Sequence, residues 1–268
     1  MKRQFLSPQH KKYVHKLKLH KFAILSSQFG LLILFLTLWE VLATVGVIDS
    51  FLMSSPSRIW QTLADLYKDG QLFYHLWISL FETLIGFFIG TLGGTAIAVS
   101  LWWSKSLREV LQPYIVVLNS LPKIALGPII IVWAGTGQKA IVTMAVLISI
   151  IVTIITMLGG FLETNPEKIL LLQSMDANKI QIFFKLVFPS NLSTLASCLK
   201  INVGMAWIGS IMGEYLVSKA GLGYLIVYGG QVFKMDLVMT CTIVLCLLAG
   251  GMYFFVALLE KLFVRWKS

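Results

Sequence analysis

Residues 138–160 read QKAIVTMAVLISIIVTIITMLGG, and after Lys139 no charged side chain occurs before Glu163. Roughly 20 apolar residues in helical form cross a hydrocarbon core. Lipid offers the backbone no hydrogen-bond partner, so a run of this kind that crosses a bilayer is a helix. Working outward, five more runs of similar character occur, at about 23–45, 76–101, 114–134, 195–217 and 238–260. The expectation is an all-α membrane protein with six transmembrane helices.

Composition agrees. The chain has 268 residues, 57% of them hydrophobic and 13% charged, with a mean hydropathy of +0.82. A soluble domain carries about 25% charged residues. A water-soluble fold of this size would leave too much apolar surface exposed. The run at 23–45 is too long for a signal-peptide core and no small-x-small cleavage site follows, so it reads as a retained first helix.

The net charge of +10 is unevenly placed. Seven of the 22 Lys and Arg precede the first apolar run, at Lys2, Arg3, Lys11, Lys12, Lys16, Lys18 and Lys21. With the N-terminus inside, sixteen basic residues fall on the inner side; five (Arg58, Lys68, Lys139, Lys219, Lys234) fall outside, and Lys123 lies within a span. That bias predicts N-in, C-in. Residues 1–22 form a basic cytoplasmic tail, where topology control or an interfacial helix over 10–21 fits better than a nucleic-acid arm, since no soluble domain accompanies it. Residues 23–268 form one transmembrane domain. Cys198, Cys241 and Cys246 sit in or beside apolar runs without metal-ligand or CxxC spacing, and read as small packing residues.

Two connecting segments carry information. In residues 46–75, Ser54-Ser55-Pro56-Ser57 is a helix-entry signal ahead of Arg58-Ile59-Trp60. Residues 161–194 form a cytoplasmic loop of two short helices. Asn165 caps the first, with Pro166 in its first turn and Glu167 near its positive end. Asp176 interrupts the pattern and is expected to cap a second helix from Ala177 to about Val187, which Pro189 stops. Ala177, Ile180, Phe183 and Phe184 then share a face by i, i+3, i+4 spacing. That face packs against the same chain or enters a groove on a partner, and the pattern alone does not choose.

The chain has no GxxxxGK[ST], so it holds no P-loop for ATP, and no HExxH, GxSxG or paired His/Asp cluster. Apart from Lys139, Lys200 and Glu260 at the edges of their runs, the charges within spans are Glu40, Glu82, Lys123 and Glu214, mostly near the ends; interfacial placement competes with a role beside an aqueous path. Small residues are better ordered. Gly86, Gly90 and Gly94 share one face of the second span, Gly209 and Gly213 one face of the fifth, and Gly250-Gly251 lie in the sixth. Such faces allow close helix approach, within one chain or at a dimer seam. In the third span, Leu121-Pro122-Lys123 and Gly127-Pro128 remove backbone hydrogen bonds, and such breaks survive only beside protein or cavity water.

These residues resemble the permeases of type I ABC importers with the MetI-like fold. The likeness is to the binding-protein-dependent subfamily that handles nitrate, taurine, aliphatic sulfonates, heterocyclic vitamin precursors and similar small compounds. It rests on Phe51-Leu52 with Ser55-Pro56-Ser57-Arg58-Ile59-Trp60, and on Leu118-Asn119-Ser120-Leu121-Pro122-Lys123-Ile124-Ala125-Leu126-Gly127-Pro128 followed by Ile131-Val132-Trp133 and Gly135. Gly204-Met205-Ala206-Trp207 with Glu214, and Gly221-Leu222-Gly223-Tyr224, complete it. The family's cytoplasmic signature, Glu-Ala-Ala with a later Gly and a Pro-ended helix, is here Leu170-Leu171-Leu172, Asp176 and Pro189. Asp tolerates a left-handed bend better than most residues, which would keep the paired-helix design.

The resemblance implies a non-catalytic half-channel in the bacterial inner membrane. A second permease copy would complete the pathway, and a cytoplasmic ABC ATPase dimer would use the ATP. An extracytoplasmic solute-binding protein or lipoprotein would deliver the solute. The coupling residues would be Leu170, Ser174, Asp176, Ala177, Ile180, Phe183, Phe184 and Pro189. The pathway would be lined by Asn119, Pro122, Lys123, Pro128, Trp207 and Glu214. Asp176→Arg or Phe183→Asp would then uncouple transport with insertion intact. An ion-gradient-driven secondary transporter would instead need mid-membrane coupling charges and internal repeats. A membrane scaffold would use the docking loop without a pathway.

Overall fold

The computed structural model describes the backbone of residues 8–263 and the side chains of residues 16–261 other than Lys18. Lys2, Arg3, Arg265 and Lys267 of the charge argument lie outside the described residues. Among the described residues every regular element is helical. Among the described residues, five helices are long and apolar enough to cross a membrane, and a bent pair of helices makes a sixth candidate span.

Helix α1 (Pro8–Thr44) has 37 residues, about 55 Å at 1.5 Å per residue, against about 30 Å of hydrocarbon. It runs without a break through residues 10–22, so residues 8–22 and the first span form one rod. Its apolar residues are exposed all round, from Phe22 to Leu38. On the outer side follow α2 (Ser50–Met53) and α3 (Pro56–Lys68). Ser55 caps α3, accepting from the Arg58 N–H, and Pro56 fills the first turn. Arg58 then pairs with Asp236 at 2.7 Å and donates to the Ser50 carbonyl at 3.0 Å, which ties this outer segment to the last span.

The centre consists of α4 (Gln71–Trp103), α7 (Gln138–Leu162) and α11 (Leu192–Val217). Glycine makes this packing possible. A Cβ at Gly86, Gly90 or Gly94 would overlap Ala145, Ser149 or Thr153 of α7. From the other side, Gly209 and Gly213 press on the backbone of Ala145 and Ile141. Both glycine faces are therefore seams inside one chain. Gly250 and Gly251 in α13 (Met235–Phe263) have open space beside them. Asn202, fully buried, donates to Thr91 at 2.9 Å and Thr153 at 2.6 Å, joining all three central helices where no water competes.

The third span departs from a single bent rod at 114–134. Helix α5 (Lys105–Ser120) begins earlier, and a short 3-10 turn (Lys123–Leu126) leads into α6 (Gly127–Ala134). The two halves meet at 91°. Leu121, held extended at φ −66°, ψ 139° as the residue before a proline, ends α5, and Pro122 has no N–H to restart it.

The cytoplasmic loop holds α8 (Pro166–Ser174), α9 (Lys179–Ile182), a π turn (Phe183–Val187) and α10 (Phe188–Ser190). On the outer side α12 (Leu222–Gln231) lies between α11 and α13.

Candidate functional site

The first loop helix starts as its sequence predicts. Asn165 accepts from the N–H groups of Glu167 at 2.8 Å and Lys168 at 3.4 Å. At its end Asp176 takes φ +58°, the left-handed region. The Ala177 N–H reaches the Leu172 carbonyl and the Asp176 N–H reaches that of Gln173, both at 3.0 Å. These two bonds are the Schellman closure usually built on glycine.

Two expectations for the second helix are corrected. Its cap is Asn178, not Asp176: Asn178 and Gln181 form a reciprocal capping box, with both bonds at 2.9 Å. Pro189 does not stop the helix, because the wider π turn before it frees the carbonyls a proline would obstruct; helical geometry continues to Ser190.

The π turn also splits the expected apolar face. Phe183 is 4% exposed and packs edge-on to Phe161, 5.6 Å between centroids, within a cluster that includes Ala98, Leu101, Met157 and Val187. Burial of such a ring is worth about 2 kcal/mol. Ala177 is half-buried against the same cluster, whereas Ile180 and Phe184 point out, 55% and 65% exposed. Leu170, Leu171 and Met175 are exposed on the neighbouring helix. Ser174 turns its hydroxyl back to the Leu170 carbonyl at 3.0 Å, and Pro189 is half-buried. The loop thus anchors one aromatic inside its own chain and presents an apolar patch outward, on a protein end rich in Lys.

The pathway candidates divide. Asn119, Pro122 and Pro128 are exposed around the break in the third span, and half-buried Lys123 lies 3.4 Å from the Asn119 side-chain oxygen. Trp207 and Glu214 instead face the interior of the chain, 5% and 1% exposed. Trp207 packs with Phe87, Val203 and Val256.

Glu214 belongs to a polar cluster that spacing alone did not reveal. The first three N–H groups at the start of α12 each meet a buried side chain from another helix. Gly221 donates to His75 Nδ1 at 2.9 Å, Leu222 to Ser79 Oγ at 2.8 Å and Gly223 to Glu214 Oε2 at 2.7 Å. Helix starts leave such groups orphaned, and a carboxylate is favoured there. Nearby, Thr83 and Ser210 share a hydrogen bond at 2.6 Å. Gly221, at φ +111°, has no room for a Cβ beside the carboxylate. Glu82 is 2% exposed, and its Oε2 finds no hydrogen-bond partner among the described residues.

A bundle of apolar spans, one of them broken at a proline, with an outward-facing pair of cytoplasmic helices, is the architecture of a multi-pass membrane protein. Residues 70–268 match the family described as "Binding-protein-dependent transport system inner membrane component", and the chain belongs to it. It is a multi-pass ABC importer permease subunit, of the group whose relatives include sulfonate permeases.

A Haemophilus influenzae protein named as an ABC transporter permease is 28% identical over 220 residues, 82% of this chain and 89% of that one. The Bacillus subtilis protein named as aliphatic sulfonates transport permease SsuC is 25% identical over 233 residues, 87% and 84% of the two chains. The solved inward-facing MetNI methionine ABC transporter superposes with a TM-score of 0.63 at 19% identity, over 70% of this chain and 93% of that one, a likeness of fold.

Proposed function

We propose that two copies of this chain form the pathway and that a separate cytoplasmic ABC ATPase dimer docks on their 161–194 loops, with an external binding protein supplying the solute. The carrying observation is the split between Phe183 and Phe184. One ring ties α9 into the bundle while its neighbour, with Ile180, Leu170, Leu171 and Met175, offers an apolar face for a partner groove. A patch of this kind on the cytoplasmic side, outside the lipid, marks a protein interface. ATP favours one pathway state only through a difference in affinity, so the loop must be rigidly joined to the spans. In this reading the ATP is used by the partner ATPase, since the chain carries no GxxxxGK[ST] motif.

The solute fits best as a small organic sulfonate. Lys123 supports this, since it places a cation at the break of the third span, beside Asn119. The name of the Bacillus relative points the same way. The test is uptake of labelled methanesulfonate and taurine into proteoliposomes holding the permease, its co-purified ATPase and the binding protein. ATP-dependent uptake that Lys123→Glu lowers by about tenfold supports the reading. Uptake of neutral or cationic solutes in preference to sulfonates would overturn it.

A further inference from the structure

Lys179 is the first residue of α9, and the Asn178–Gln181 box fixes where that helix begins. The Asp176 bend aims the helix start back at the end of α4. There the Lys179 ammonium donates to the Trp103 carbonyl, the last of α4. Such a carbonyl has no partner within its own helix and attracts a cation. The same ammonium lies 5.7 Å from the ring centroids of both Trp102 and Trp103. Trp102 in turn leans on Phe183, 5.2 Å between centroids. Two consecutive positions at the end of α4 are therefore gripped by the loop helix.

That grip falls at a corner. Ser104 ends α4 and caps α5, accepting from the Leu107 N–H at 3.3 Å. From there α5 continues as a single helix, through Pro113 in its middle, to Leu121-Pro122, where the third span breaks. Whatever moves the Trp103–Ser104 corner moves the end of that helix.

We infer that Lys179 is a positioning residue that joins the coupling loop to the α4–α5 corner, so that ATPase motion reaches the broken span through α5. The inference rests on the docking of an ATPase at this loop. Phe183 holds α9 against the bundle; Lys179 sets its orientation relative to the corner. No single one of its contacts is strong, and their convergence on one ammonium is what makes its direction specific.

The experiment uses the full chain in nanodiscs with its co-purified ATPase. Cys246 is replaced by Ser, and a reporter cysteine is placed at exposed Ser120, the last residue of α5. Labelling by a membrane-impermeant maleimide is compared before and after trapping with ATP and vanadate. Lys179→Met keeps the apolar stem and loses the ammonium, whereas Lys179→Arg keeps a cation for both rings and the carbonyl. In Lys179→Met, ATP hydrolysis stays within about twofold while the vanadate-induced change in labelling shrinks about fivefold; Lys179→Arg restores it. A wild-type labelling change in Lys179→Met overturns the inference. So does equal loss in both variants together with a lowered thermal midpoint, which would mark a merely structural role. Should no ATPase co-purify with the unaltered chain, the docking reading itself fails and takes the inference with it.

Discussion

The Glu214 carboxyl accepts the Gly223 N–H at 2.7 Å, so an acidic side chain from the fifth span closes the start of the outer helix α12. His75 and Ser79 of α4 take the two preceding N–H groups. Three backbone donors that would otherwise be orphaned in a buried place are thus held by two spans at once, and α12 moves with both.

Removing the acceptor tests this clamp. Glu214→Ala leaves the Gly223 N–H buried and unpaired, at a cost of about 1–3 kcal/mol, while Glu214→Gln keeps an acceptor and loses less. The order of thermal midpoints in detergent should be wild type, then Gln, then Ala. Ala no worse than Gln would mean the bond does not clamp.

The two glycine faces of the central seam predict position-specific damage. Gly209→Ala drives a methyl into the Ala145 backbone and Gly86→Ala into its side chain; each should cost about 1–3 kcal/mol. Gly251→Ala meets open space and should leave the midpoint unchanged. Equal effects at all three would contradict a seam inside the chain.

Phe183 and Phe184 are adjacent in sequence and opposite in role. Phe183→Asp puts an unpaired carboxylate into the Phe161 cluster and should abolish the folded state, which revises the expectation that it would only uncouple. Phe184→Asp should insert and melt normally yet lose ATPase association. Size-exclusion profiles of the two variants separate the outcomes.

Asp176 stands at φ +58°, a conformation that costs a residue with a Cβ about 1 kcal/mol. Asp176→Gly should raise stability slightly and retain coupling. Asp176→Val, β-branched, should lower both, measured as thermal midpoint and ATPase stimulation in the complex. A neutral Val would show that the bend is not required.

How much of this was legible follows from the range of the forces involved. The spans are written in long apolar runs, and the Asn165-Pro166 start is written locally, so both can be read from sequence. Asn178 is written locally too: Gln181 three residues on completes a capping box, a stronger signal than a lone Asp176. The Phe183–Phe184 split could not, because a π turn shifts the helical phase by tertiary fit. The proline at 122 foretold a bend but not its 91° size, which depends on where α6 packs against α7 and α11. The clustering of His75, Ser79 and Glu214 joins residues well over a hundred positions apart, and the Lys179–Trp103 contact spans 76. No periodicity carries such information.

The most direct measurement is photo-crosslinking from the patch itself. A benzoyl-phenylalanine at position 184, in the full chain purified from its native membrane, should capture an ATP-binding protein on illumination, and the same probe at exposed Leu247 in the middle of α13 should not. Capture of no ATPase from position 184, with the protein folded and inserted, would contradict the account.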